Sequence, residues 1–128
     1  MKKKQFKTLY PRNIEIINGR PLDYCGIRCS MEVLGGKWKL LIIAELFKGK
    51  KRYSELKRSI PEISEKMLIS SLQELEHHKI VIRTVVEPIP PQVEYSLSKY
   101  GQSVQSVLET LFVWGEGHIK KHSDKIFH

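Results

Sequence analysis

Ile60-Pro61-Glu62-Ile63-Ser64-Glu65-Lys66-Met67-Leu68-Ile69-Ser70-Ser71-Leu72-Gln73-Glu74-Leu75-Glu76-His77-His78 is the stretch that decides the fold. Ser64 reads as a helix N-cap, because its hydroxyl can accept from an N–H group left open in the first turn. Ile63 before the cap and Leu68 after it are spaced to form a hydrophobic staple. The helix so begun is expected from Glu65 to about His78, with Leu68, Leu72 and Leu75 inward and Ile69 alongside them. That leaves Lys66, Met67, Ser70, Ser71, Gln73, Glu74 and His77 on or near the outward side.

Upstream, Pro61 stops a short helix over Tyr53 to Ile60, with Tyr53, Leu56 and Ile60 inward. The turn Pro61-Glu62-Ile63 is short enough to hold the two helices at a fixed angle. A helix over Lys37 to Phe47 carries Trp38, Leu41, Ile42 and Leu46 on one side, with Gly49 just past its end. Before it, Tyr24, Ile27, Met31 and Leu34 recur at helical spacing until Gly35 and Gly36. Downstream, Val81, Ile82, Thr84, Val85 and Val86 are followed by Pro88, Pro90 and Pro91. Val93, Tyr95 and Leu97 then alternate with Glu94 and Ser96, which predicts a two-stranded hairpin with a proline-stiffened tip. A last helix, Lys99 to about His118, presents Val104, Val107, Leu108, Leu111 and Trp114, with Phe112 and Ile119 beside that stripe. The stripe is wider than one small domain requires.

The expected class is therefore α+β, mainly helical: a winged helix-turn-helix with a two-stranded wing and a C-terminal dimerisation helix. Residues 1–22 read as a basic N-terminal arm, 23–118 as the DNA-binding and dimerisation domain, and 119–128 as a tail. The whole chain is 128 residues, room for one domain with one core. No apolar run approaches the ~20 residues of a membrane span. The lysines at 2–4 are followed by no apolar segment of the kind a secretory signal needs. The expected location is the cytoplasm.

A formal net charge of +8 favours polyanionic partners. The charge is concentrated, because Lys48, Lys50, Lys51, Arg52, Lys57 and Arg58 lie within eleven residues against one acid, Glu55. Such runs are often plain solvated faces. Here the run lies just ahead of a helix-turn-helix, where Lys50, Lys51, Arg52, Ser54 and Lys57 can grip phosphates. Ser64, Lys66, Met67, Ser70, Ser71, Gln73 and His77 can then address base edges in a major groove wide enough to admit a helix. The wing tip has no Lys or Arg, and Arg83 at its base is the nearest substitute. The partners so implied are double-stranded DNA and a second copy of the chain, with no membrane. The alternative is a winged-helix module that binds another protein without DNA specificity.

In order along the chain, these residues resemble the HxlR-type winged helix-turn-helix regulators, relatives of the MarR group. The matching stretches are Gly35-Gly36-Lys37-Trp38-Lys39-Leu40-Leu41-Ile42, Arg52-Tyr53-Ser54-Glu55-Leu56, Ile60 through Leu68, Leu72 through Glu76, Val93 through Leu97, and Trp114-Gly115. The resemblance implies a dimeric bacterial repressor or activator paired through its terminal helices. Ile27, Val107, Leu108, Leu111 and Trp114 are then candidates for the subunit interface. Three departures stand out: Gly26 where proline is common after the cysteine, Lys79 where glycine is common after the recognition helix, and the uncharged wing tip.

Cys25 and Cys29 form C-x-x-x-C at the start of the first helix, and some similar regulators use the first of these positions to sense oxidants or electrophiles. A helix N-terminus and Arg28 would favour the thiolate. Against this, side chains four apart on a helix hold their Cβ atoms ~5 to 6 Å apart, whereas a disulfide wants ~3.5 to 4.5 Å. The plainer reading is two small thiols kept reduced. His118 and His122 have a spacing that can serve a metal, but no third ligand is near, and a polar helix end explains them. His77 and His78 are sequence neighbours and are expected to point apart. Trp38 and Trp114 read as core or interface anchors rather than base-stacking platforms. Glycine-rich phosphate loops, nucleophile elbows and metalloprotease motifs are all missing, so neither catalysis nor a cofactor is expected.

Overall fold

The structure is a computed structural model that describes residues 14–126. Helices α1 (Tyr24–Leu34), α2 (Lys39–Phe47), α3 (Tyr53–Ser59) and α4 (Glu65–His77) are followed by the strands of the wing, β4 (Val81–Pro88) and β5 (Pro91–Leu97). A 3-10 turn, Gly101–Val104, leads into α5 (Gln105–Ile126). Two short strands, β1 (Ile14–Ile17) and β2 (Arg20–Asp23), precede α1, and a two-residue strand, β3 (Lys51–Arg52), precedes α3. The winged-helix order read from the sequence is the order observed. Among the described residues no helix is long and apolar enough to cross a membrane.

One core unites the helix-turn-helix with its neighbours. Ile42, Ile43 and Leu46 from α2 meet Leu56 and Ile60 around α3, Ile63 and the α4 leucines, then Ile80, Val81 and Val104. Ile63 and Leu68, the expected staple, are both inside this cluster. Two helices turn differently from expectation. In α2 it is Ile43 rather than Leu41 that is buried beside Ile42 and Leu46, and Leu41 is exposed. In α1 the buried side is Cys25, with Cys29, Val33 and Leu34 half-buried, while Ile27 and Met31 face solvent. Spacing shows that a helix has an apolar stripe; it does not say which neighbour will cover it.

The wing is three-stranded rather than two-stranded. β5 lies in the middle, antiparallel to β4 on one side and to β3 on the other. Two residues are too few to show a strand's alternation, so β3 leaves no sequence signature of its own. The wing is tied to α4 and α5 by Ser98. Its hydroxyl donates to the Lys79 carbonyl at 2.6 Å and accepts from the Gly101 N–H at 2.8 Å. Lys79 takes a left-handed backbone, φ 65, which lets α4 end and the chain turn into β4. Gly101 is required because a Cβ there would sit 2.2 Å from the Ile80 carbonyl oxygen.

Part of the expected N-terminal arm is ordered as a hairpin. Asn18 and Gly19, at φ 54 and 76, form the two-residue left-handed turn that joins β1 to β2. Residues 1–13 lie outside the described residues. At the other end α5 continues through most of the segment expected as a tail, with non-helical backbone at His122 marking a kink.

Candidate nucleic-acid interface

Helix α4 is set in place at its start and along its length. The Ser64 hydroxyl accepts from the Met67 N–H at 3.1 Å, the N-cap bond expected of it. An ion pair of 2.6 Å between Lys39 of α2 and Glu74 braces the middle of the helix. Its free side exposes Lys66, Met67, Ile69, Gln73 and His77. Ser70 is half-buried, with its hydroxyl donating to the Met67 carbonyl at 3.2 Å.

Two residues change sides. Ser71, read from the sequence as outward, is 3% exposed and lies with the leucines. It stands three residues after Leu68 and four before Leu75, so helical geometry puts it on their face. It is not available to a base. Ile69, read as lying alongside the core, is exposed instead and was missed as a site residue. It lines a cleft of about 580 Å³ with Arg52, Tyr53 and Ser54 from the start of α3 and with Pro91, Gln92, Val93 and Tyr95 from the wing. The cleft therefore joins α4, the cationic run and β5.

The basic run does not form one continuous surface. In the antiparallel register Lys51 lies across from Tyr95, and Tyr95 from Arg83, while Arg52 lies across from Glu94. Paired residues share a face of a sheet and neighbours in sequence do not, so Lys51 and Arg52 project to opposite sides. Lys51 is half-buried, and its charge is among those that hold the Glu45 carboxyl below the usual range, chiefly through the Lys48 hydrogen bond at 2.7 Å. Lys50 reaches Glu94 at 3.8 Å, and the Lys57 ammonium donates to the Pro61 carbonyl at 3.2 Å, within the turn between α3 and α4. Arg52 is exposed, and its backbone N–H donates to the Glu55 carboxylate at 2.9 Å, which fixes the start of α3. Arg83 is exposed on β4.

A second surface has a different chemistry. Along α5, Val107, Leu111, Phe112, Val113 and Trp114 are exposed, with Trp114 at 70%, while Leu108 packs partly against the core. Trp114 is thus no core residue; Trp38, the other tryptophan, does pack against the core. Trp114 stacks on His118, and the His122 Nδ1 lies 3.2 Å from the His118 carbonyl. No group of three metal-ligating side chains occurs among the described residues. His77 and His78 do not point apart: their rings meet edge to face with centroids at 5.2 Å. Burial, then the charges of His77 and Lys39, lowers the His78 pKa.

Both cysteines are thiols, Cys25 buried and Cys29 half-buried. Burial, then Cys25 and Glu32, pushes the Cys29 thiol up, opposite to the thiolate-favouring effect expected of the helix terminus. The two line one cavity of about 360 Å³ between α1 and the start of α5.

Residues 33–123 match the family described as HxlR-like helix-turn-helix. The chain is 47% identical over 95 residues to the HTH-type transcriptional regulator YtcD of Bacillus subtilis, a stretch covering 74% of this chain and 75% of that protein. The crystal structure of YtcD superposes with a TM-score of 0.71, covering 73% of this chain and 96% of that one at 48% identity. The redox regulator HypR in its oxidised form gives 0.68 at 39% identity, covering 73% of this chain and 96% of that one. The reduced form of the transcriptional regulator YodB from B. subtilis gives 0.64 at 37% identity, covering 71% and 89%.

Proposed function

The chain belongs to the HxlR-like helix-turn-helix family of transcriptional regulators, and from that premise we propose that it binds operator DNA as a homodimer and acts by binding rather than catalysis. The observation that carries the reading is the exposed side of α4, a helix braced by a capped start and a core-packed back, beside the cleft lined by Arg52, Ser54 and Ile69. In a dimer two such helices would enter successive major grooves ~34 Å apart on an inverted repeat. Lys66, Met67, Ser70 and Gln73 supply the base-edge contacts and Arg52 and Ser54 the phosphate contacts beside the cleft, while Arg83 projects from the opposite face of the wing sheet. Covering a promoter in the cytoplasm would repress it.

The second copy seats on α5 and α1, where Leu111, Phe112, Trp114, Ile27 and Met31 are left exposed. That apolar area is what a subunit interface buries. HypR has been solved as a redox regulator in oxidised and reduced forms, and the regulator YodB in a reduced form. By that likeness we infer that the thiols of α1, which abut the start of α5, gate DNA binding when they react.

The test is duplex binding across a salt series. Charge-neutralising Arg52 should flatten the dependence of log affinity on log salt by about one unit. Lys51, half-buried and on the other side of the strand from Arg52, should change it less. Replacing Gln73 should alter which operator is preferred in selection from a random duplex library. Equal weakening on every sequence would refute its role in base choice, and no duplex binding at moderate salt would return the chain to a protein-binding module.

A further inference from the structure

Cys25 and Cys29 stand one turn apart on α1 and open into the same cavity, whose other walls include Val33, Leu34, Val104 and Val107. On an intact helix their Cβ atoms are ~5 to 6 Å apart, too far for the ~3.5 to 4.5 Å of a disulfide. A soft cation held in line between the sulfurs removes that mismatch. With the ~2.3 Å of a zinc–thiolate bond as the order of magnitude, two metal–sulfur bonds in line place the sulfurs roughly 4.6 Å apart, a span the undistorted helix turn allows.

We propose that Cys25 and Cys29 form a two-thiolate site for a soft, two-coordinate cation of the cuprous class. Thiolates select such ions. The cavity walls offer no carboxylate and no imidazole, and no cluster of three or more His, Cys, Asp or Glu among the described residues could hold a metal. An ion such as zinc, which takes four ligands in structural sites, is therefore poorly served. On loading, two S–H bonds break, two metal–sulfur bonds form, and two protons go to solvent; no electron moves. The resulting site carries one negative charge, which the N-terminal turn of α1 favours because Cys25 is its second residue. The Glu32 carboxylate, which disfavours a bare thiolate at Cys29, also opposes that net charge, so loading is carried by the two metal–sulfur bonds. Release of two protons makes loading weaker at lower pH. None of this rests on the reading of α4 as a DNA-binding helix.

The experiment is an anaerobic titration of the reduced full chain with cuprous ion against a coloured cuprous chelator. One ion per chain is expected. Cys29→Ser should lower affinity by more than about 100-fold, since losing even a group that only supports a ligand costs ~10- to 100-fold. Cys29 is half-buried and its serine variant should keep the wild-type circular dichroism, so that variant carries the result if Cys25→Ser fails to fold. Unchanged affinity in C29S, one ion bridging two chains, or equal competition by zinc would each overturn the proposal.

Discussion

Helices α4 and α5 are both amphipathic, yet they leave the chain in opposite conditions. α4 buries Leu68, Ser71, Leu72 and Leu75 and turns a mixed polar side to solvent. α5 buries none of its described residues fully and exposes Phe112, Val113 and Trp114. A helix whose apolar side is covered within its own chain can offer its other side to a hydrophilic ligand. A helix whose apolar side stays uncovered calls for another protein surface. The two helices are thus suited to different partners before any partner is named.

The sharpest break of that comparison is to cut the same side chain from each helix. Leu72→Ala removes a fully buried side chain and should cost about 2 to 5 kcal/mol in chemical denaturation. Leu111→Ala, at an exposed position, should leave the unfolding of the isolated chain nearly unchanged. Similar losses in dilute protein would mean that α5 is covered within the chain after all. Next in size, Trp114→Ala should weaken self-association by roughly 2 kcal/mol, about 30-fold, as central aromatic anchors do. Sedimentation equilibrium reads it directly, and a wild-type chain that is monomeric at every concentration would remove α5 from the interface.

Much of the difference between the helices was legible in the sequence. Ser64, the leucines at 68, 72 and 75, and the over-wide stripe on the last helix identified α4 and α5 and their roles in the fold. What escaped was anything that depends on which neighbour arrives. Ser71 is small enough to sit among leucines, so its hydroxyl suggested a surface role that its angular position denies. Ile69 and Leu41 read as on or near the core because they are apolar, but the fold leaves both exposed. The split between Lys51 and Arg52 follows from β3 pairing with β5, a contact made far along the chain that no local pattern reports. Asn18-Gly19 was different: the turn signal was present, but the flanking strands were too short for their alternation to stand out.

A smaller effect tests how firmly α4 is held. Ser64→Ala leaves the Met67 N–H without its side-chain acceptor and should cost about 1 kcal/mol. The same change should weaken operator binding in step with fraying of the first turn, seen as faster amide exchange at Glu65 to Met67. Slower or unchanged exchange would show that the core alone fixes the helix start.

The smallest expected effect lies at the other end of α4, where His78 forms the C-cap. Burial lowers its pKa, helped by His77 and Lys39, while Glu32 and Glu74 pull the other way. The folded chain therefore binds this proton more weakly than the unfolded chain does. The stability linked to the neutral ring is complete above the unfolded value of about 6.5 and is lost as pH falls from there through the folded value. His78→Gln should make the curve of unfolding free energy against pH flatter between roughly pH 7 and pH 5. His77→Gln should do so less directly, by removing one of the charges that holds His78 neutral. If the wild type and the His78 variant lose stability in parallel over that range, the ring is not held neutral in the fold.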